Sequence, residues 1–253
     1  MKQNFKQTAL SAAKSASKVL LHYYGKKEVA REKSNKTLVA AADLEANKII
    51  IKTIKRYFPS HSILSEETGF EDNKSDYKWV IDPLDGTHNF LHRIPLFGTS
   101  IALEYKNGTI LGILHFPVLK ITAFAEKGKG AFLNGKRIKV SNKNNLHYSF
   151  ILTELSKTSR KTAAILIKKL FEVQLDVRSF GAAIYNLLQV AEGNCEGYVV
   201  FTTKEWDMAA GFLIVEEAGG KITDFDGRKY SFAQGKFVVS NGKVHKILLN
   251  YLK

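Results

Sequence analysis

The chain has 253 residues, 45% of them hydrophobic and 25% charged, which is the composition of an ordinary soluble globular protein. Its 38 Lys and Arg residues outnumber 24 Asp and Glu residues, and the net charge of +14 favours anionic partners such as phosphorylated metabolites, nucleic acid or membrane surfaces. The single cysteine excludes an intrachain disulfide and multi-cysteine metal sites, and no apolar run reaches the ~18 residues of a membrane helix, so we expect a cytoplasmic protein without a membrane partner.

Apolar periodicity in the first half of the chain predicts two helices followed by a series of strands. The helices are expected at 4–24, ending before Gly25, and from about Asp43 to Tyr57. Segment 59–77 is expected to be a polar loop around a short strand. The strands are predicted at Ser62–Leu64, Lys78–Ile81, Thr99–Tyr105, Thr109–His115, Ile121–Glu126, Ala131–Leu133 and Lys136–Val140. An Asn134-Gly135 turn joins the last two strands, because this dipeptide is preferred in two-residue hairpins.

Beyond a polar stretch at 141–146, helices and strands alternate. The strands are predicted at Ser149–Thr153, Leu175–Val177, Gly197–Phe201 and Phe237–Ser240. The helices are predicted at Arg160–Phe171, Ala182–Glu192 and Met208–Ala218, with a terminal helix from about Val244. We therefore expect residues 1–146 to form an α+β half that carries most candidate metal ligands, and residues 147–253 to form an α/β half that carries Asp207.

The stretch from Asp82 to Thr87, DPLDGT, follows directly on a hydrophobic strand. Taken alone, it could be a surface turn, because Pro, Asp and Gly are common turn residues. However, two carboxylates three residues apart at the end of a strand lie where α/β proteins place their ligands. Two close anions repel each other unless a cation lies between them, and oxygen ligands without His or Cys favour Mg²⁺. The pattern thus predicts a magnesium site at Asp82 and Asp85.

Further carboxylates occur at the ends of other predicted elements. Glu66-Glu67 follows the short strand before Lys78, Asp207 opens the helix at Met208, and Asp43 starts a helix. Each also has a structural explanation: surface exposure for the Glu pair, an N-cap for Asp207 and compensation of the helix dipole for Asp43. A helix N-terminus also attracts anions, so a metal-binding Asp207 would lie beside a phosphate pocket.

The order of these features resembles the signature of the inositol monophosphatase family, which comprises Mg²⁺-dependent, lithium-sensitive phosphomonoesterases. The matching segments are Asp43, Glu66-Glu67, DPLDGTHNF at 82–90, GKGAFLNGK at 128–136, Gly181, WDMAAG at 206–211 and EAGG at 217–220. They cover nearly the whole chain. The resemblance implies an α/β (α+β) fold, a layered αβαβα sandwich of the inositol monophosphatase/fructose-bisphosphatase type, and a homodimer.

The resemblance also implies roles at matching positions, with two to three Mg²⁺ ions per active site. Glu66, Asp82 and the carbonyl of Leu84 would hold one ion. Asp82 would bridge to a second ion held with Asp85 and Asp207, and a third, weaker ion would bind Glu66 through waters. The expected catalytic residues are Asp43, Glu66 and Thr87, with Asp43 and Thr87 orienting the attacking water. The expected substrate-binding residues are Gly86, Thr87, Gly181 and Asp207.

The sequence departs from the family pattern at four places. Ser65 stands where Gly is usual before the Glu pair, Val39-Ala40 lacks the usual hydroxyl residue before Asp43, and His88 follows Thr87. The fourth departure is Val200, which stands where enzymes acting on inositol phosphate usually place a Glu that bonds a sugar hydroxyl. A Val side chain cannot accept that hydrogen bond, so the departure bears on the substrate.

These observations favour a Mg²⁺-dependent phosphatase that hydrolyses a small phosphorylated metabolite, with myo-inositol 1-phosphate as the first candidate. The alternatives are an adenosine 3′,5′-bisphosphate 3′-phosphatase and a fructose-1,6-bisphosphatase. An alternative from another functional class is a protein with the same fold that binds RNA or the transcription complex. The net charge of +14 would suit that function. The sequence contains no RNP motif or helix-turn-helix signature.

Overall fold

The computed structural model describes residues 4–26, 35–154, 160–172 and 175–252. The helices are Phe5–Tyr23 (α1), Asn35–Tyr57 (α2), Thr87–Leu91 (α3), Arg160–Glu172 (α4), Ala183–Ala191 (α5), Glu205–Glu217 (α6) and His245–Leu252 (α7). The strands are Ser62–Ser65 (β1), Gly69–Glu71 (β2), Tyr77–Asp85 (β3), Gly98–Tyr105 (β4), Gly108–Phe116 (β5), Ile121–Glu126 (β6), Gly130–Leu133 (β7), Lys136–Arg137 (β8), Phe150–Thr153 (β9), Asp176–Arg178 (β10), Gly197–Val200 (β11), Lys221–Thr223 (β12) and Phe237–Ser240 (β13).

The strands of the described residues form two sheets. The first sheet has the order β2-β1-β3-β4-β5-β6-β7-β8, and all its pairs are antiparallel except β1 with β3. The second sheet has the order β10-β9-β11-β13-β12, in which β10, β9 and β11 are parallel and the remaining pairs are antiparallel. The first sheet is thus mainly antiparallel and the second is mixed, with parallel strands on one side.

Alternation of side chains along the central strands separates the hydrophobic core into layers. Trp79 and Ile81 of β3 face α1 and α2, whereas Val80 between them faces α5 and α6. In β11, Tyr198 and Val200 face the same helices α5 and α6 from the second sheet. Helices α4 and α7 cover the outer face of that sheet. The result is the αβαβα sandwich that the family resemblance implied.

Helix α2 begins eight residues earlier than predicted, so Asp43 lies inside the helix and not in its first turn. The preceding residues extend the helix because Val39 and Ala42 are buried in the core between α2 and the first sheet. The strand β2 and the short helix α3 were not predicted. The start of α6 was predicted at Met208, but the helix begins at Glu205.

The predicted hairpin turn is confirmed, because Asn134 and Gly135 both have positive φ, 46° and 82°. Its second strand is shorter than expected and ends at Arg137. Along the chain, all strands of the first sheet come before segment 141–146 and all strands of the second sheet come after it. However, α5 and α6 from the second half pack on the first sheet, so the division into two halves stays a prediction. Among the described helices, none combines the length and apolar character needed to cross a bilayer.

Candidate active site

A bulge at the end of β3 brings two aspartates to one face of the sheet. Side chains of a regular strand alternate, so positions 82 and 85 would point to opposite faces. The pairing of β3 with β4 shifts between Asp82, opposite Ser100, and Asp85, opposite Gly98. One extra residue on β3 thus shifts the alternation of side chains, so that Asp82 and Asp85 point to the same face. The bulge also accommodates Pro83 within the strand. The strand was predicted to stop at Ile81, because a Pro usually ends a strand and the bulge could not be predicted from the sequence. The strand in fact continues to Asp85.

The carboxylates of Glu66, Asp82 and Asp207 form one group, in which each residue offers an oxygen within 4.8 Å of the others. Glu66 follows β1, which is parallel to β3, and its amide donates to the carbonyl of Ile81 (3.1 Å). The ends of these two strands therefore meet at one edge of the sheet. Asp82 is buried, Asp207 is half-buried, and Glu66 is exposed at the opening of the site.

Asp207 is held from its own helix and the loop before it. Its Oδ2 accepts hydrogen bonds from the Thr203 hydroxyl (2.8 Å) and the Lys204 amide (3.0 Å). Lys204 is the N-cap of α6, so Asp207 is the third helical residue, and the N-cap interpretation of Asp207 was wrong. The amide of the cap residue Lys204 thus donates to the side chain of the third helical residue, as in a capping box, and this bond fixes the direction of the Asp207 carboxylate.

Asp85 lies beside this group but turns towards α5. Its Oδ2 accepts a hydrogen bond from the Ile184 amide (3.0 Å) in the first turn of that helix. Asp82 similarly accepts from the Leu84 amide through Oδ1 (2.9 Å). Both aspartates are thus oriented by the backbone, and an ionised Asp85 would compensate the N-terminal dipole of α5.

Asp43 reaches the same site from α2. It is buried, and its Oδ1 has no hydrogen-bond partner among the described residues. The neighbouring turn of α2 is tied to β1 because Ser65 donates from Oγ to the Asn47 side chain (2.8 Å). The Ser65 hydroxyl also accepts from the Glu67 amide (3.3 Å), so the Ser that replaces the usual Gly connects the Glu pair to α2.

Burial, and then the crowding of the carboxylates, raises their pKa values. Burial, followed by the charges of Glu67 and Glu66, raises the pKa of Asp43 to about 8. Burial and Asp207 raise the pKa of Asp85 to about 8 and the pKa of Glu66 to about 7. The pKa of Asp82 is also raised well above its ordinary value, by burial and then by Asp85. A divalent cation would remove this repulsion, and an all-oxygen donor set fits Mg²⁺.

The segment after the bulge places the remaining predicted residues. Gly86 has φ +82°, and a Cβ there would lie 2.8 Å from the carbonyl oxygen of Leu96, so only glycine fits. The Thr87 hydroxyl donates to the Leu84 carbonyl (3.2 Å), which joins the candidate phosphate residue to the candidate ligand carbonyl. The Leu84 side chain itself is buried.

Asn89 connects this segment to Gly181. Its side-chain nitrogen donates to the carbonyls of Leu96 and Phe180, both at 2.7 Å. Gly181 has φ +70° and lies against Asn89, where a Cβ would be 3.0 Å from the side-chain oxygen. The structure therefore brings Gly181 and the start of α5 next to Gly86, as an active site drawn from both halves requires. His88, by contrast, is exposed, and Val200 is completely buried in the core.

The sequence analysis missed several residues that build the site. Asn89 bonds only to backbone carbonyls, which residue type does not mark. Thr203 bonds to the Asp207 side chain four residues later, across a loop and the start of α6 where no single helix or strand period relates the two positions. Glu154 does give a signal: it follows the strand β9, and a carboxylate at a strand end is the pattern that singled out Asp82. It is half-buried and accepts hydrogen bonds from two amides of the loop before α6.

Comparisons of sequence show similarity along the whole chain. The model of the inositol monophosphatase family matches residues 1–253. A protein of Thermotoga maritima named fructose-1,6-bisphosphatase/inositol-1-monophosphatase is 35% identical over 229 residues, which are 90% of this chain and 87% of that protein. The protein named Nus factor SuhB of Escherichia coli is also 35% identical, over 247 residues that cover 95% of this chain and 92% of that protein.

Comparisons of structure agree. An inositol monophosphatase from Anabaena superposes with a TM-score of 0.87 at 34% identity, covering 97% of this chain and 93% of that chain. The extragenic suppressor protein suhB of Bartonella henselae superposes with a TM-score of 0.88 at 32% identity and covers 98% of both chains.

Proposed function

The chain belongs to the inositol monophosphatase family, and from this premise we propose that it is a Mg²⁺-dependent phosphatase of a small polyol phosphate, with myo-inositol 1-phosphate as the first substrate. The observation that carries the proposal is the group of Glu66, Asp82 and Asp207, with oxygens within 4.8 Å of one another. A site so rich in carboxylates would repel a phosphate dianion. Activity should therefore depend completely on a bound cation.

The proposed ligands are Glu66, Asp82, Asp85, Asp207 and the carbonyl of Leu84, holding two to three Mg²⁺ ions. When bound, these ions would neutralise the phosphate oxygens, activate water and stabilise the leaving alkoxide. The protein contributes orientation, because backbone amides fix Asp82, Asp85 and Asp207 before any ligand arrives. Such preorganised groups need little rearrangement during the reaction.

Asp43 and Thr87 are the proposed positioning groups for the attacking water. The unpartnered Oδ1 of Asp43 is a buried acceptor that a water molecule could satisfy. The Thr87 hydroxyl can accept one hydrogen bond while it donates to Leu84. Gly86 and Gly181, both with positive φ, would allow the backbone to approach the substrate phosphate closely. Asp207 is a further proposed substrate contact.

The test is phosphate release with Mg²⁺ and with EDTA, on inositol 1-phosphate, adenosine 3′,5′-bisphosphate and fructose 1,6-bisphosphate. We expect turnover only with Mg²⁺ and the highest kcat/KM on inositol 1-phosphate. A higher kcat/KM on either bisphosphate would contradict the proposed substrate but would still support the phosphatase activity. Absence of turnover on all three esters by folded protein in Mg²⁺ would refute the proposed activity.

A second function, binding to RNA or to a transcription complex, is supported by two observations. The net charge is +14, and relatives at 35% identity are named Nus factors. Electrostatic binding to RNA weakens steeply with salt. Titration of labelled RNA at two salt concentrations, with the folded Asp82→Asn variant as a control for catalysis, would test this function. Unchanged affinity of that variant would separate RNA binding from the phosphatase site.

A further inference from the structure

We propose that Glu154 binds a hydroxyl group on the leaving-group side of the substrate, and so selects polyol monophosphates over esters without a hydroxyl there. This inference rests on the proposed phosphatase function and adds a specificity-determining residue to it. Glu154 lies outside the group of Glu66, Asp82 and Asp207 and, unlike Asp85, is not one of the proposed metal ligands. It is therefore available for a role other than holding the metal.

The topology of the second sheet places Glu154 at the site. Strands β9 and β11 are parallel, and Thr153 is opposite Val199. The next residues, Glu154 and Val200, consequently share the carboxyl edge of the two strands. The chain then enters the loop that leads into α6 and Asp207. Ligands of α/β proteins bind outside this edge, and Val200 presents no polar group there, whereas Glu154 does.

Backbone hydrogen bonds fix the Glu154 carboxylate. Its Oε1 accepts from the amides of Phe201 (2.9 Å) and Thr202 (2.6 Å). No described residue donates to Oε2. Burial and the charge of Asp207 raise the pKa of Glu154, so the two carboxylates are near enough to interact. A half-buried carboxylate with one anchored oxygen can direct the other to a ligand without further loss of side-chain entropy.

The chemistry of the carboxylate selects the partner. An ionised carboxylate only accepts hydrogen bonds, so it suits a hydroxyl and repels a second phosphate group. A polar site built for a hydroxyl also discriminates strongly against an analogue that lacks it, because the acceptor then stays unpaired. Of the candidate substrates, the arrangement favours a monophosphate with free hydroxyls over a bisphosphate.

A purely structural role makes a different prediction. The loop that Glu154 holds also carries Thr203, whose hydroxyl orients Asp207. If Glu154 acted only through this loop, its replacement would disturb Asp207, raise the Mg²⁺ requirement and slow every substrate equally. A substrate contact would instead change one class of substrate and leave the Mg²⁺ requirement unchanged.

The experiment compares the wild-type protein with Glu154→Gln on inositol 1-phosphate and cyclohexyl phosphate, which has the same ring without hydroxyls. Gln retains an oxygen for the two amides. We expect kcat/KM on inositol 1-phosphate to fall about tenfold or more, the loss typical of a charged hydrogen bond. On cyclohexyl phosphate it should change less than about twofold, a free-energy difference below the weakest typical hydrogen bond. The Mg²⁺ concentration for half-maximal rate should be unchanged. Glu192→Gln, at the far end of α5, is the matched control for a half-buried carboxylate.

An equal fall on both esters, a higher Mg²⁺ requirement, or no change at all would overturn the proposal. The wild-type protein provides an independent test if the variant is unstable by thermal melting: equal kcat/KM on the two esters would also overturn it. Absence of turnover on both esters by wild-type protein with Mg²⁺ would refute the phosphatase function itself, and the two failures are thus distinguishable.

Discussion

Three of the four aspartates at the candidate metal site accept a hydrogen bond from a backbone amide: Asp82 from Leu84, Asp85 from Ile184 and Asp207 from Lys204. The side-chain directions therefore depend on the local backbone and not on a neighbouring cation. An Asn at these positions would keep the acceptor oxygen and the shape but lose the charge. Substitution by Asn consequently separates the electrostatic contribution of each carboxylate from its contribution to packing.

Asp82→Asn is expected to abolish nearly all turnover while the protein remains folded. The loss of charge removes a proposed bridging ligand but relieves repulsion from Asp85 and Glu66. We therefore expect the Tm of the metal-free variant to equal or exceed that of the metal-free wild type. Phosphate release and thermal melting in EDTA check both parts. Asp176→Asn, on an exposed side chain of β10, is the control. Substantial remaining turnover, or a lower Tm without metal, would contradict this account.

Gly86→Ala tests the tight backbone after the bulge. Gly25 has the same φ of +82°, but nothing lies within 4 Å of the Cβ that Ala would add, so Gly25→Ala measures the cost of the left-handed backbone alone, about 1–2 kcal/mol. At Gly86 the Cβ would meet the Leu96 oxygen at 2.8 Å. Unfolding in urea should show a clearly larger loss of stability for Gly86→Ala. Equal losses of stability in the two variants would show that the backbone at Leu96 moves aside at little cost.

At the scale of elements, helix α7 is joined to the second sheet by one buried histidine. His245 is the first residue of α7, and its ring nitrogens lie 2.8 Å from the hydroxyls of Thr223 in β12 and Ser240 in β13. Burial, with a contribution from Lys221, lowers the pKa of His245 to about 4. The ring is therefore neutral in the folded protein above about pH 4.

Lowering the pH from about 6.5 to about 4 should weaken the protein through His245. In this interval the unfolded chain binds a proton that the folded chain does not, so the free energy of unfolding falls as the pH falls. The shift from 6.5 to about 4 corresponds to a loss on the order of 3 kcal/mol. In saturating Mg²⁺, which would remove the opposing contribution of the site carboxylates, the free energy of unfolding in urea should change with pH less steeply for His245→Gln than for the wild type. His147→Gln, on an exposed histidine, should keep the wild-type slope.

Most elements could be predicted because their periodicity is local, whereas the exceptions depend on distant contacts. Strand β3 continues through Pro83 only because a bulge against β4 accommodates it. Helix α2 extends back to Asn35 because Val39 and Ala42 pack on the first sheet. The carboxylates could be recognised from their places at strand and helix ends, but their mutual distances follow from the layer order. That order was available only from the family resemblance.

For the whole molecule, the site joins the first sheet to the central helix layer. Glu66 and Asp82 come from the first sheet, and Asp207 comes from α6, which lies between the sheets. A cation bound there would hold these layers together. Because it would bind the folded chain and not the unfolded one, it should add to the stability of the entire protein.

Mg²⁺ should raise the Tm, and more at pH 8 than at pH 5.5. Without metal, the raised pKa values of Asp43 and Asp85 (about 8) and Glu66 (about 7) mean that the folded chain holds protons that the unfolded chain has released. Stability therefore falls as the pH rises from about 4 to about 8, and the cation removes this loss. Melting with Mg²⁺ or EDTA at both pH values checks this, with KCl of equal ionic strength as the control. An equal increase in KCl would assign the effect to screening of the net charge.

The distance along the chain between Glu66 and Asp207 also has a consequence for synthesis. A growing polypeptide that has completed β1 to β8 already contains Glu66, Asp82 and Asp85 but lacks Asp207. Domains fold as units, and α6 shares a core with the first sheet, so a nascent chain that ends before α6 lacks part of that core as well as Asp207. If Asp207 is a metal ligand as proposed, catalytic competence arises only after α6 has been translated and has docked. Polypeptides interrupted before that helix are then expected to release no phosphate from any substrate.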